Sequence, residues 1–140
     1  MRTGREVAVF VRRGDSVLVL RRVRQAIWHT AAGVVEDGEA YPDAAARELR
    51  EETGLAADAP LLAVGTAIVY PIPDEDLWEY PDGVRDCEVE SFAVVAPPGW
   101  EPVLNEEHDA YRWCAIDEAV SLLHWPEARS AARLAWERLG

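Results

Sequence analysis

The chain has 140 residues, 49% of them hydrophobic, with 14 basic and 26 acidic side chains and a net charge of −12. That is the length of one domain, with enough apolar material for a core. The acidity argues against the basic surface that holds nucleic acid, no apolar run reaches the length of a membrane span, and Cys87 and Cys114 have neither disulfide nor zinc spacing.

Val7 to Val11 and Val17 to Leu20 are β-rich runs separated by Arg13-Gly14-Asp15-Ser16, which predicts a hairpin. A further strand is expected over Trp28 to Val35. A helix follows at about 43–53: Pro42 suits its first turn, Ala44 to Ala46 are strong helix formers, and Gly54 supplies a left-handed stop. Leu61 to Val69 and Val89 to Val95 read as strands, with a long loop from Pro71 to Asp86 between them. Tyr111 to Ile116 reads as a short strand, and Asp117 as the cap of a helix over Glu118 to Leu123. Pro126 opens the last helix, about 127–139, with Ala128, Ala131, Ala132, Ala135 and Leu139 as its packing positions. Strands mixed with helices on the faces give an α/β (α+β) sandwich. The opening residues carry no secretion pattern, so the cytoplasm is the expected compartment.

The chemistry concentrates on the first helix. Glu48, Glu51 and Glu52 are spaced i, i+3 and i+4 and share one face. Alone they would repel one another; with a hard cation such as Mg²⁺ or Mn²⁺ between them, the repulsion becomes ligation by oxygen. Arg47, four residues before Glu51, is expected to pair with and orient it. Ala45 and Leu49 give the opposite side an apolar contact.

The spacing Gly33-x5-Glu39-x7-Arg47-Glu48-Leu49-x-Glu51-Glu52-x-Gly54-Leu55 resembles the signature of the Nudix hydrolases at every fixed position. The resemblance implies a single α/β/α sandwich over residues 1–140, with a mixed central sheet and a loop–helix–loop metal site. It implies hydrolysis of a phosphoanhydride in a small-molecule polyphosphate, which so acidic a chain must recruit through metal ions. Carried over, Glu48 and Glu52 are metal ligands, Glu51 is a ligand or the base acting on water, and Arg47 belongs to the catalytic set. Glu39 and Gly54 give structural support, and Gly33 lets the backbone approach the metal or phosphate. A further ligand is expected at Glu107, with Glu106 second; His108 reads as structural, as do His29 and His124. Members of the family often form homodimers, and nothing in this chain marks an interface.

Three further stretches look like the bacterial dihydroneopterin triphosphate pyrophosphohydrolases: Val17 to Arg22 with Trp28, Pro81 to Arg85 with Glu88, Glu90 and Phe92, and Glu107-His108-x-x-Tyr111-Arg112-Trp113. On that likeness Arg21, Arg22 and Arg85 are phosphate contacts, and Trp28, Trp78 and Tyr80 are stacking partners for a flat ring. Ala32 departs from it, standing where that subfamily carries a hydroxyl. Common or oxidised nucleoside triphosphates, dinucleoside polyphosphates, and binding without catalysis stay open.

Overall fold

Apolar residues fill both faces of the first strand, so something must cover each side. Val7, Val9 and Val11 point to one core, Ala8 and Phe10 to another. The computed structural model describes residues 2–57, 60–65 and 67–140. Its strands are β1 (Arg5–Arg13), β2 (Ser16–Arg22), β3 (Trp28–His29), β4 (Ala31–Val34), β5 (Leu62–Ala63), β6 (Ile68–Pro71), β7 (Asp86–Val95) and β8 (His108–Cys114). Its α-helices are α1 (Tyr41–Thr53), α2 (Ile116–Leu122) and α3 (Pro126–Arg138). The strands form one mixed sheet: β1 runs parallel to β7, and the other pairings among the described residues are antiparallel.

The helix α1 lays Ala44, Ala45 and Leu49 on the Val7–Val9–Val11 side. The helices α2 and α3 lay Ala119, Ala128, Ala131, Ala132 and Ala135 on the Ala8–Phe10 side. This is the expected α/β/α sandwich. The small residues of α3 let that helix sit close to the sheet.

The strand expected over 28–35 is broken in two. The Thr30 hydroxyl turns inward onto the carbonyl of Val9, so β3 pairs with β2 and β4 with β1. The strand expected over 61–69 is also split, and Thr66 lies outside the described residues. The Pro71–Asp86 loop holds a 3-10 helix over Asp74–Glu79, each turn closed by backbone bonds such as Asp76 N–H to Pro73 O at 2.9 Å. Asp117 does not cap α2: the N-cap is Ala115, and Asp117 sits in the first turn, paired with Arg133 at 3.1 Å. The strand expected at 111–116 begins earlier, at His108, and Ile116 already belongs to α2. Leu139 lies just past the end of α3 but still packs on that core. Gly54 ends α1 at φ 82°, donating its N–H to Arg50 O at 2.9 Å, as its spacing requires.

Candidate active site

Where α1 crosses the edge of β4, two glutamates are buried together. Glu48 and Glu52 are 9% and 2% exposed. Ala32 donates its backbone N–H to Glu52 at 3.3 Å. Burial first, then the neighbouring Glu48 carboxyl, pushes the Glu52 carboxyl well above the ordinary range. Glu48 is raised too, by burial, against the opposing pull of its Glu52 and Arg47 hydrogen bonds. Two acids that resist ionising side by side are a costly arrangement for stability alone.

Gly33 lies against the acids. A Cβ at this position would overlap the Glu48 carboxylate itself. The missing side chain makes room for that glutamate.

Arg47 organises the cluster, and its main partner is Glu39. The guanidinium grips Glu39 with two bonds of 2.9 Å, donates to Glu48 at 2.8 Å and to Val34 O at 2.9 Å. Glu51 is reached only at 3.5 Å. The expected Arg47–Glu51 pair is thus the weakest of its contacts: the fork geometry suits the carboxylate of Glu39, which approaches from the loop before the helix. Arg47 holds the Glu39 carboxyl well below the usual range, to about 2. Glu51, half-exposed, points to solvent at the rim.

His108 stands closer to the acids than Glu107. Its Nε2 lies 3.7 Å from Glu52 Oε1, and neither ring nitrogen has a hydrogen-bond partner. Burial and the Arg22 charge push it down to about 4. Glu107 is exposed, bonded through its backbone to Asn105 at 3.1 Å, and acts on Glu52 only through its charge. Glu106 is exposed as well. The first strand residue after this acidic pair, and not the acids themselves, is what the fold drives against Glu52.

On the other side of β4 lies a cavity of about 310 Å³. Ala32 and Gly33 line it from β4, Ala128 and Ala131 from α3, and Ile68, Tyr70, Ile72 and Tyr80 from the β6 side. Arg22 lines it near the acids, its guanidinium 5.1 Å over the Trp125 ring and bonded to Gln25 at 3.2 Å. Burial lowers the Arg22 pKa, and the charges of Glu52 and Glu6 oppose that shift. Of the ring and phosphate contacts expected from sequence, Arg22, Gly33 and Tyr80 reach the cavity. Arg21 turns away and pairs with Asp109 at 2.6 Å. Trp28 packs in the α2–α3 core. Trp78 is 78% exposed on the 3-10 helix, and Arg85 is exposed in the same Pro71–Asp86 loop. These side chains lie on surfaces or in a core that their sequence positions could not reveal.

The cavity contains residues that sequence reasoning passed over, Arg2, Glu6, Tyr70 and Trp125, and one read as structural, His29. His29 meets Trp125 edge-on at 4.9 Å, leaves Nδ1 unpartnered, and is pushed down to about 3 by burial. His124 also meets Trp125 edge-on, at 5.2 Å.

A hard divalent cation fits the acids. They offer only oxygen, and they carry a repulsion that a cation would relieve. Among the described residues no three His, Cys, Asp or Glu side chains already converge on a point. Mg²⁺ commonly uses one or two carboxylates and completes its shell with water and substrate phosphates, so Glu48 and Glu52 suffice as an anchor.

The NUDIX domain family matches residues 2–135. An octanoyltransferase of Myxococcus xanthus is 33% identical over 92% of this chain, which spans about a third (35%) of that protein's length. The dihydroneopterin triphosphate diphosphatase of Escherichia coli is 30% identical over 83% of this chain and 79% of its own. The solved structure of the E. coli dihydroneopterin triphosphate pyrophosphohydrolase superimposes with a TM-score of 0.83 at 26% identity, covering 96% of each chain. With the signature intact and its side chains gathered at one edge of the sheet, the chain belongs to the Nudix hydrolase family.

Proposed function

We propose that this chain is a pyrophosphohydrolase that uses Mg²⁺ or Mn²⁺ to convert dihydroneopterin triphosphate to its monophosphate and pyrophosphate. The observation that carries this reading is the buried Glu48–Glu52 pair, held against Ala32 and Gly33 of β4, the same two residues that line a cavity sized for a small molecule. The likeness in sequence and fold to an E. coli protein named for this reaction supports the substrate.

In this reading Glu48 and Glu52 hold the ion, which when bound neutralises phosphate oxygens and lowers the pKa of water. Arg47 fixes Glu48, and Glu39 fixes Arg47. Glu51, free at the rim, either adds an oxygen to the ion or takes the proton of the attacking water. Gly33 leaves the space Glu48 occupies. Arg22 lines the cavity within reach of the Glu52 charge, where its guanidinium would meet phosphate oxygens in pairs. His108, neutral at working pH, backs Glu52 without competing for positive charge. Glu107 reaches the cluster through its field and is a ligand only if its loop swings inward.

Purified protein would be incubated with Mg²⁺ and dihydroneopterin triphosphate, and the products separated. The proposal expects monophosphate and pyrophosphate, with turnover abolished by a chelator and restored by Mg²⁺ or Mn²⁺. Release of single phosphates, or rates unchanged by the chelator, would contradict it.

A further inference from the structure

The cavity lining contains a second charged pair that the hydrolytic chemistry does not use. Arg2 donates to Glu6 Oε2 at 2.7 Å, and the Glu6 side chain is only 16% exposed. The Tyr80 hydroxyl lies 3.3 Å from Arg2 Nε. Both Arg2 and Glu6 line the cavity, beside apolar walls that include Phe10, Ile68 and Val89. A part-buried ion pair in a cavity wall adds little to stability, because desolvation offsets most of its attraction. An ionised carboxylate can accept at about four positions, so Glu6 keeps acceptor capacity after Arg2 and the Cys87 thiol have taken their share.

A carboxylate and a guanidinium side by side offer acceptor, acceptor and donor along one line. The complementary ligand edge is donor, donor, acceptor. Among planar heterocycles, that is the edge of a 2-amino-4-oxopyrimidine ring, with its exocyclic amino group, its ring N–H and its carbonyl oxygen. Guanine and pterin share it. Adenine and cytosine each place a lone pair next to their amino group, which would face the carboxylate. Thymine and uracil flank their one N–H with two carbonyls. A buried polar group left unpaired by the wrong ring discriminates far better than an apolar wall does.

We propose that Glu6 and Arg2 are the specificity-determining pair of this cavity, and that they select bases with a 2-amino-4-oxopyrimidine edge. This rests on the hydrolase reading above: the base sits against Glu6, and Arg22 and the acids take the phosphates. Glu6 makes the two-point contact, and Arg2 both aligns Glu6 and meets the carbonyl.

The test is a comparison of kcat/KM in Mg²⁺ for dGTP, dITP, dATP, dCTP, dTTP and dihydroneopterin triphosphate, with wild type and Glu6→Gln. The wild type is expected to prefer dGTP and dihydroneopterin triphosphate over dATP by about 100-fold, the size of a lost pair of hydrogen bonds to a charged group. The dITP probe lacks only the 2-amino group and needs no variant, so it stands even if Glu6→Gln folds poorly; it is expected to fall about 10-fold below dGTP. In Glu6→Gln the dGTP-to-dATP ratio is expected to fall at least about 10-fold. The ratio of dGTP to dihydroneopterin triphosphate tells which source of the shared edge the site takes. Equal use of dGTP, dITP and dATP, or an unchanged ratio in Glu6→Gln, would overturn the assignment while leaving the hydrolase standing. No turnover of any substrate would overturn both.

Discussion

The two sides of β4 are assembled by different rules. On the α1 side, Arg47, Glu48, Glu51 and Glu52 come from one helix, so their relative placement is fixed by the helical repeat. On the α3 side, the cavity draws Arg2, Arg22, Tyr70, Tyr80 and Trp125 from five separate segments. The first arrangement tolerates little change, because each residue is held by its neighbours: Glu39 by Arg47, Glu48 by Arg47, and Gly33 by the bulk of Glu48. The second can exchange one wall residue at a time. Such a molecule keeps its chemistry constant and varies its substrate. Substitutions on the two sides should therefore fail differently, in turnover on one and in selectivity or KM on the other.

The largest loss is expected from Glu52→Gln. Removing a buried anchor for the ion should lower kcat/KM by about 10³-fold, measured by pyrophosphate release. Arg47→Lys comes next. A point charge cannot replace a fork that spans Glu39 and Glu48, and a loss of about 10–100-fold in activity or metal affinity is expected. On the cavity side, Arg22→Ala should raise KM about 10-fold or more, whereas Arg21→Ala, one residue away but paired with Asp109 on the surface, should leave it within about twofold. Equal effects of the two would erase the distinction between the faces of β2.

The smallest effect is a pH dependence of stability. His29 is buried neutral, its pKa pushed from 6.5 to about 3. The unfolded chain therefore binds a proton that the folded chain refuses between these values. The stabilisation is complete above pH 6.5 and is lost as the pH falls toward 3. Denaturant unfolding at a series of pH values should show a shallower decline over this window in His29→Gln than in wild type. The same slope in both would mean that His29 is not kept neutral by its surroundings.

How far the sequence could be read follows the same division. The shared face of Glu48, Glu51 and Glu52 was legible because its geometry is local, and so were the hairpin from β1 to β2, the stop at Gly54 and the alanine stripe of α3. The bond partners of Arg47 were not. A helical i, i+4 offset favours Glu51, but the chain before α1 folds Glu39 back onto the guanidinium. Trp28 and Trp78 read as equal candidates for stacking, yet one enters the core and the other faces solvent. Only the tertiary fold separates them. Arg2 and Tyr80 meet across 78 residues, a distance over which no periodicity carries. His108 read as a histidine at the start of a strand, and β8 does begin there; what the sequence could not show is that the strand carries the ring to within 3.7 Å of Glu52.

The central claim is that Glu48 and Glu52 are buried together at a cost that a divalent cation relieves. Thermal unfolding of wild type and Glu52→Gln, each in chelator and in millimolar Mg²⁺, tests it without reference to any substrate. In chelator, Glu52→Gln should melt above wild type, because it removes one of two mutually repelling buried acids. Mg²⁺ should raise the melting temperature of wild type, through binding to the folded state, and leave Glu52→Gln nearly unmoved. A wild type insensitive to Mg²⁺, or a variant that gains as much from the ion as wild type does, would contradict it.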